Sequence, residues 1–498
     1  MPRLISAPRY LPGGFPFQLR HELTTRTFGI FSIVLAMILS PTAHAADPQR
    51  PPNIVFLLAD DLGYGDLHCM GHPYSQTPAI DRLAKDGTLF KHFYAAGATC
   101  GPSRAGLMTS QFPARFAKAP ASFAFSGAIT VTDLLKKNGY RTGHFGKWHM
   151  GPEEKDGTFG IESIKVLGGN PRDETGRDSE TAAAAVEFIK ANKSAPFYVN
   201  ICFQSPRNPV QPPRSFADRF ANVKVNRADF PNPDMQAHFD LYEKLGGKLD
   251  EGMQNYLGEV LQLDGQVAKV LQTIDDLGLR DNTIVVFTSD NGPARCTGIG
   301  ENAAKAEPIK PDLKKKPDPK KKELPRETLV ENMLGSTGPL LRDRKPSLYD
   351  GGVRQPLIVR WPGHVKAGRV DEGSVLAGVD WLPTVAGVAG ILIDAARYDG
   401  EDVSDIWLGA ARERKRNLYW KASNPRDTPV VRHGNWKLHL PSVAKKDSVE
   451  LYDLAKDPGE RENLAAKHPE IVTELTNILR RWNSSLPSKY EKGEVDDD

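Results

Sequence analysis

Cysteine is scarce in this sequence: its 498 residues include only four, and one of these, Cys100, lies in the motif discussed below. The other three are Cys69, Cys202 and Cys296, which allow at most one disulfide bond in an oxidising compartment. Cys202 lies in a predicted buried strand, where a small apolar side chain serves packing. The sequence does not select a pair among the three.

A surplus of charge of one sign is also missing. The chain has 65 lysines and arginines against 62 aspartates and glutamates, a net charge of +3. Residues 1–45 contain four arginines and one glutamate, so they carry all of this charge, and the other 453 residues (498 − 45) are formally neutral. A neutral body predicts neither a nucleic-acid partner nor attraction to an anionic membrane.

The N-terminal apolar segment is short for a membrane span. It covers the twelve residues 28–39, whereas a spanning helix needs about 20. Arg20 and Arg26 precede it and small residues follow it, which is the plan of a secretory signal peptide. We expect residues 1–45 to be removed after Ala45 and the protein to be periplasmic or secreted; an uncleaved anchor is the alternative.

The sequence does contain two unbroken apolar runs that end in oxygen-bearing side chains. One run leads to Asp60 and Asp61, and the other leads to Asp290 and Asn291. Such runs predict buried parallel strands, whose carboxyl ends meet at the ligand-binding edge of an open α/β sheet. Three carboxylates and one amide oxygen favour Ca²⁺, with Mg²⁺ second, over zinc. Local capping and turn formation are the alternative roles.

Strand and helix patterns alternate along most of the chain. Amphipathic patterns predict a helix over residues 253–277, before the second acidic strand, and a shorter helix over residues 129–138. This alternation predicts an α/β fold with a mostly parallel central sheet flanked by helices. From about residue 410, short antiparallel strands and a helix over residues 469–482 predict a smaller α+β subdomain.

The most informative segment is the sequence CGPSR from Cys100 to Arg104, followed by an expected apolar helix start at Ala105. Alone, it is consistent with a buried cysteine at a helix N-terminus. A thiolate phosphatase loop is a second alternative. Such a loop has five residues between cysteine and arginine, whereas this segment has three.

Together with the acidic strand ends, CGPSR resembles the C-x-P-S-R signature of type I sulfatases, which have the alkaline phosphatase-like fold. The resemblance implies that a maturation enzyme oxidises Cys100 to formylglycine, the nucleophile, and that Arg104 stabilises its hydrated form. It also implies a calcium site formed by Asp60, Asp61, Cys100, Asp290 and Asn291.

Two further segments resemble sulfatase motifs. Residues 143–151 look like the G-K-W-H segment, which implies that Lys147 contacts the sulfate and that His149 positions the formylglycine hydroxyl and takes its proton. Residues 345–354 look like K-x-x-x-Y-E-G-G-x-R, with Asp350 in place of the usual glutamate. This resemblance makes Lys345 the second sulfate-contacting lysine.

One position departs from the family pattern. After the predicted strand at residues 197–203, sulfatases usually have a Pro-His pair, but this chain has Pro206 and Arg207. Arginine stays protonated at neutral pH and cannot act as a general acid. We therefore expect Arg207 to bind the substrate, and the group that protonates the leaving alcohol is undefined.

The resemblance divides the chain into a sulfatase catalytic domain at residues 46–409 and a C-terminal subdomain with an acidic tail at residues 410–498. A lysine- and proline-rich insertion at residues 301–326 has no apolar periodicity and is predicted to be a surface loop. It is either a solvated linker or an arm that attracts polyanionic substrates.

The resulting expectation is an arylsulfatase-like sulfuric ester hydrolase (EC 3.1.6) that uses formylglycine and calcium. Its expected substrate is a sulfated carbohydrate or another organic sulfate ester, and its expected partner is the formylglycine-generating enzyme. Two alternatives stay open: a phosphomonoester or phosphonate ester hydrolase on the same fold, and a non-catalytic protein that binds sulfated glycans.

Overall fold

The computed structural model describes residues 50–125, 127–169, 173–296, 333–421, 429–441 and 448–493. The predicted signal peptide and the predicted insertion at residues 301–326 lie outside these ranges, as do the last five residues of the acidic tail.

The strands of the described ranges form two separate sheets. In chain order they are β1 Asn53–Asp60, β2 Thr88–Tyr94, β3 Arg141–Gly146, β4 Ser163–Val166, β5 Phe197–Pro206, β6 Thr283–Ser289, β7 Arg354–Arg360, β8 Arg369–Asp371, β9 Leu376–Ala377, β10 Leu418–Trp420, β11 Val430–His433, β12 Trp436–His439 and β13 Glu450–Asp453.

The α-helices connect and cover these strands. In chain order they are α1 Pro78–Lys85, α2 Cys100–Thr109, α3 Pro120–Phe123, α4 Val131–Lys137, α5 Ser179–Asn192, α6 Arg214–Ala217, α7 Pro233–Lys244, α8 Leu249–Asp276, α9 Asp350–Val353, α10 Trp381–Val388, α11 Ser404–Trp407 and α12 Pro469–Ser484.

The large sheet has the order β4-β3-β5-β1-β6-β7-β2-β8, with β9 beside β2. Neighbouring strands are parallel except where β7 pairs with β6 and β2. The prediction of a mostly parallel central sheet flanked by helices is therefore confirmed. β1 and β6 are adjacent and in register, with Ala59 opposite Ser289, so their carboxyl ends lie side by side.

Apolar side chains cover both faces of the large sheet, which is why its central strands are hydrophobic along their whole length. The 28-residue helix α8 packs one apolar face, including Met253, Val260 and Val267, into the core on one side. On the other side, α2, α4 and α10 share a core that includes Leu107 and Trp381. No described helix has the length and hydrophobicity needed to cross a membrane.

The small sheet has the order β10-β11-β12-β13 and is antiparallel. Its core is continuous with the large sheet, because Leu438 and Leu479 belong to the same apolar cluster as Tyr94 and Val353. Short antiparallel strands followed by a helix were expected here, and the structure confirms this part of the fold. All four cysteines lie in described ranges, and none forms a disulfide bond.

A buried charge group joins the two sheets, and we call it the Lys437 cluster: Lys437, Asp350 and Glu460. The ammonium of Lys437 lies 2.8 Å from Asp350 Oδ1 and 3.0 Å from Glu460 Oε1, and the three side chains are fully buried. Tyr94 Oη donates a hydrogen bond to Asp350 Oδ2 at 2.8 Å. Each acid therefore has partners supplied by the protein.

Candidate active site

The acidic side chains predicted from β1 and β6 do converge. Asp61 follows β1 in a left-handed turn with φ of 61°, and its backbone N–H donates to Asp290 Oδ1 at 3.2 Å. The Asn291 amide donates to Asp61 Oδ1 at 2.6 Å. Together with Asp60, these side chains are fully buried and form an oxygen-rich group at the carboxyl end of the sheet.

Cys100 lies against this acidic group. Its thiol donates to Asp60 Oδ1 at 3.3 Å and to Asp61 Oδ1 at 3.6 Å. Ligand atoms of Asp60, Asp61, Cys100 and Asp290 all lie within 4.8 Å of one another. The carboxyl ends of β1 and β6 and the N-terminus of α2 therefore meet at one point.

The helix start differs from the expectation. α2 begins at Cys100 itself rather than at Ala105, so the whole CGPSR segment is helical. Pro102 is tolerated because backbone N–H groups in the first turn of a helix have no intrahelical acceptor. The early start orients Ser103, whose hydroxyl donates to the backbone oxygen of Asp290, a contact that sequence reasoning missed.

Three buried cations compensate the carboxylates. Lys147 Nζ lies 2.7 Å from both carboxylate oxygens of Asp60. Arg104 donates twice to Asp290 Oδ2, at 2.8 and 3.1 Å. Lys147 comes from the loop after β3. This loop is held to β5 because the backbone N–H of Lys147 donates to the backbone oxygen of Cys202.

The third cation is Lys345, which lies 3.1 and 3.2 Å from the two oxygens of Asp61 and 3.4 Å from Cys100 Sγ. Its loop is fixed by close backbone contacts between Gly292 and the Gly351-Gly352 pair. A Cβ atom at Gly292 would lie 2.1 Å from the backbone oxygen of Gly351. Only glycine permits this approach.

His149 adjoins the charged group as a neutral imidazole. Burial, followed by the charges of Lys147 and Arg104, lowers its pKa to about 3. Its Nδ1 atom is buried and has no hydrogen-bond partner among the described residues. A neutral imidazole with an unfilled nitrogen can accept a hydrogen bond or a proton.

Arg207 lies at the open side of the group. The pairing of Asp60 with Pro206 in the β1–β5 ladder brings it there, and its Nε atom is 3.7 Å from Asp61 Oδ2. The Arg207 side chain is 29% exposed, against 8% or less for Lys147 and Lys345. Among these cations it therefore has the most access to an incoming molecule.

A second layer of buried polar groups holds the Arg207 loop. Arg177 donates to the backbone oxygens of Arg207 and Pro209 at 2.6 and 3.2 Å, and its guanidinium lies 3.6 Å from Glu259. Sequence reasoning missed both side chains. Glu259 was detectable as an acid on the apolar face of the predicted helix, whereas nothing in the sequence marks Arg177.

The site shifts the pKa values of Asp60 and of the Cys100 thiol in opposite directions. Burial alone would raise the pKa of Asp60, but the adjacent Lys147 and Arg104 hold it well below the ordinary range. Burial and the negative charges of Asp290 and Asp60 raise the pKa of Cys100 well above that of an ordinary thiol. The unmodified thiol is therefore protonated at neutral pH and is a weak nucleophile.

The donor set fits a hard divalent cation. Three carboxylates converge, and Asn291 Oδ1 is buried without a hydrogen-bond partner within the described ranges. A buried amide oxygen normally accepts a hydrogen bond. An Asn291 Oδ1 atom that accepts none and lies beside carboxylates is consistent with a metal ligand. Oxygen ligands of this kind suit calcium and magnesium.

Comparison with known proteins agrees with this arrangement. Residues 52–391 match the Sulfatase family model, and residues 343–485 match the model described as N-sulphoglucosamine sulphohydrolase, C-terminal. The chain belongs to the sulfatase family. It is accordingly a sulfuric ester hydrolase.

Two sulfatases and one solved structure are similar to this chain over most of its length. Human arylsulfatase A is 30% identical, with 86% of this chain and 87% of the relative covered. The N-acetylgalactosamine-6-O-sulfatase of Bacteroides thetaiotaomicron is 29% identical, with coverages of 86% and 93%. The crystal structure of Ps i-CgsB in complex with k-i-k-neocarrahexaose has a TM-score of 0.70 at 22% identity, with coverages of 90% and 96%.

Proposed function

We propose that this sulfatase hydrolyses sulfate esters of carbohydrates through a formylglycine formed from Cys100, with calcium bound beside it. The overall reaction converts a sulfate ester and water into an alcohol, sulfate and a proton. The observation that carries the proposal is the position of Cys100, in hydrogen-bond contact with two carboxylates and with Lys345.

The surroundings of Cys100 argue for its conversion. As a thiol it is buried, its pKa is raised, and it lies beside three carboxylates. These features disfavour a thiolate phosphatase, which needs a lowered thiol pKa. A hydrated formylglycine at the same position supplies a hydroxyl nucleophile and a second hydroxyl for release of the sulfate. Its formation requires a maturation enzyme as partner.

Asp60, Asp61, Asp290 and Asn291 are the proposed calcium ligands, joined by the modified residue 100. When bound, the ion would neutralise charge on the sulfate oxygens as a Lewis acid. Without it the protein already places Lys147, Lys345 and Arg104 against these acids. We assign Lys147 and Lys345 to sulfate binding and Arg104 to the stabilisation of residue 100.

The proton transfers use the remaining groups. His149 is neutral, so it can position the nucleophilic hydroxyl and accept its proton. Arg207 is permanently charged and is assigned to substrate binding, since it cannot protonate the leaving alcohol.

Two properties follow for the substrate and the location. The relatives include an N-acetylgalactosamine-6-O-sulfatase, which supports a sulfated carbohydrate over a small aryl ester. The sequence pattern of residues 1–45 supports export to the periplasm or secretion. We further propose residues 46–409 as the catalytic domain and residues 410–498 as the C-terminal subdomain with the acidic tail.

A phosphomonoester or phosphonate hydrolase is the second candidate, because the same cations bind either tetrahedral group. Non-catalytic glycan binding is disfavoured by the complete nucleophile and metal set. The decisive experiment has two parts. We expect the mass of the Cys100 peptide from a host with the maturation enzyme to match formylglycine, and matched sulfate and phosphate esters to show preferential sulfate release. An unmodified Cys100 in active enzyme contradicts the proposal.

A further inference from the structure

A cleft with a volume of about 780 Å³ lies where the small sheet meets the edge of the large one. Its walls include Tyr64 and His92 from the large domain and Asn435 from the β11–β12 turn. None of the proposed nucleophile, metal or sulfate-binding residues lines it. The cleft is therefore distinct from the site around Cys100.

The lining of this cleft is strongly cationic. Its basic side chains are Lys91, Arg354, Arg412, Arg414, Arg416 and Arg432. Its acidic side chains are Glu372 and Glu413. A concave surface with this excess concentrates anions.

Four of the six cations have carboxylate partners. Lys91 pairs with Glu372 at 2.8 Å, and Arg354 with Asp350 at 3.7 Å. The other two pairs are Arg412 with Glu401 at 2.9 Å and Arg414 with Asp380 at 2.7 Å. These four cations therefore have carboxylate partners supplied by the protein. The two that remain are Arg416 and Arg432.

Arg432 is the more unusual of the remaining two. It is 3% exposed, its Nε donates to the backbone oxygen of Gly434 at 3.0 Å, and its guanidinium lies 4.7 Å from the ring centre of Tyr94. Its Nη1 atom is buried without a hydrogen-bond partner among the described residues. The carboxylate on which its charge acts, Asp350, is already in contact with Lys437 and Arg354. A buried guanidinium in this state normally has an anionic partner.

Arg416 is the other cation of this lining that has no carboxylate in contact among the described residues. Its guanidinium binds backbone oxygens, that of Gly400 at 2.8 Å and that of Ala395 at 3.1 Å, and no carboxylate of the described ranges pairs with it. Leu418, two residues further on, pairs across strands with Arg432 and also lines the cleft. Arg416, two residues before β10, and Arg432, on the adjacent strand β11, therefore line the same cleft.

We propose that this cleft is a second anion site, in which Arg432 and Arg416 bind an oxyanion group, sulfate or carboxylate, carried by a saccharide. A free sulfate ion has the same chemistry but fills only a small part of 780 Å³, whereas pockets of that size hold larger ligands. The saccharide as carrier rests on the proposed function. Oxyanion binding itself rests only on the cleft.

The test measures binding to the mature, calcium-loaded enzyme by titration calorimetry. The probes are sodium sulfate, a sulfated oligosaccharide and the same oligosaccharide without sulfate. The variants are Arg432→Gln and Arg416→Gln, with Lys91→Gln as the matched control, because Lys91 lines the same cleft and already has Glu372 as its partner. All three changes remove one positive charge.

We expect the sulfated oligosaccharide to bind roughly 10- to 100-fold more weakly to the Arg432→Gln variant, the usual effect of losing a charge-assisted contact. Arg416→Gln should act in the same direction and Lys91→Gln should have little effect. Turnover of a small aryl sulfate should be unchanged in all three variants. Because binding is measured independently of turnover, an inactive enzyme would contradict the proposed function and not this inference.

The three probes also distinguish a free sulfate ion from an oxyanion carried by a saccharide. A second equivalent of sodium sulfate that is lost in Arg432→Gln identifies free sulfate as a ligand, whereas loss confined to the oligosaccharide identifies the carried group. Equal binding to wild type and both variants overturns the proposal. If Arg432→Gln does not fold, Arg416→Gln and a selenate-soaked wild-type crystal decide: absence of an anomalous peak at Arg432 together with unchanged Arg416→Gln binding rejects the site.

Discussion

The Cys100 site and the Lys437 cluster are both buried groups of charge, but they satisfy their charges differently. In the Lys437 cluster the ammonium pairs with two acids at 2.8 and 3.0 Å, and those acids have further protein donors. In the Cys100 site, three acids face three cations, yet Asn291 Oδ1 and His149 Nδ1 have no hydrogen-bond partner among the described groups.

This difference separates structural from functional burial of charge. Groups whose partners are all supplied by the protein join elements together, as Lys437 joins the small sheet to α9. In the Cys100 site, by contrast, unfilled atoms lie beside converging carboxylates and cations, which is the arrangement expected where another ligand binds. The same distinction marks Arg432 in the cleft, whose Nη1 atom is also unfilled.

The largest expected effect is loss of turnover in Cys100→Ala. Removing the nucleophile should reduce kcat/KM by roughly 10⁴-fold or more, as in other enzymes that lose a covalent nucleophile. The fold should persist, since the substitution only shortens one buried side chain. Steady-state kinetics on a sulfate ester and the melting temperature measure the two effects. Cys69→Ala is the matched control, and wild-type turnover in Cys100→Ala would remove the nucleophile from the proposal.

Sequence reasoning located the Cys100 site better than the Lys437 cluster, for a physical reason. Asp60 ends β1, and Asp61, Asp290 and Asn291 come directly after β1 or β6, so the register of these two strands brings them together. The Lys437 cluster needs the docking of two sheets, which no local pattern encodes. The start of α2 at Cys100 was likewise missed, because a proline in the first helical turn resembles a turn residue in sequence.

A second large effect is expected at the proposed metal ligands. Chelation should abolish activity and added calcium should restore it, while Asp290→Ala should lose roughly 10³-fold in kcat and resist rescue, because electrostatic stabilisation of the transition state is usually a large contribution. Asp229→Ala, at an exposed hydrogen bond to Tyr74, is the control. Full activity of rigorously metal-free enzyme would rule out the calcium site.

Lys437→Met tests the Lys437 cluster, the second group in the comparison. Removing the ammonium leaves Asp350 and Glu460 buried without their cation, which costs about 3 to 5 kcal/mol of unfolding free energy. Urea denaturation measures the loss. The kcat of the folded fraction should change little. A variant as stable as wild type, or one that folds normally but is inactive, would show that the cluster is not a structural joint.

Arg207→Ala tests a cation that belongs to the Cys100 site but is partly open to solvent. Loss of a charge-assisted contact of about 1.5 to 3 kcal/mol predicts a roughly 10- to 100-fold lower kcat/KM on an acidic or multiply sulfated sugar. A neutral monosulfated sugar should lose much less. Steady-state kinetics on the two substrates measure these losses. Equal losses of kcat/KM on both would make Arg207 a general sulfate-binding residue or a structural partner of Asp61.

The smallest expected effect concerns Glu259, a buried acid that supports the Arg207 loop and has an unfilled Oε2 atom. Burial raises its pKa from 4.5 to about 7, although Arg177 opposes the shift. A raised carboxyl pKa means that the folded state binds more protons than the unfolded state, so this stabilising contribution is complete below about pH 4.5 and is lost as the pH rises to about 7.

Glu259→Gln removes that titration. The free energy of unfolding of the variant relative to wild type should therefore rise between about pH 4.5 and pH 7 and then level off, by about 1 to 3 kcal/mol in total. Urea denaturation across this window measures the difference. Glu187→Gln, at an exposed contact with Lys190, should show no such rise. A flat difference for Glu259→Gln would mean that Arg177 keeps the acid ionised, and the Arg177–Glu259 pair would then belong with the fully compensated charges of the Lys437 cluster.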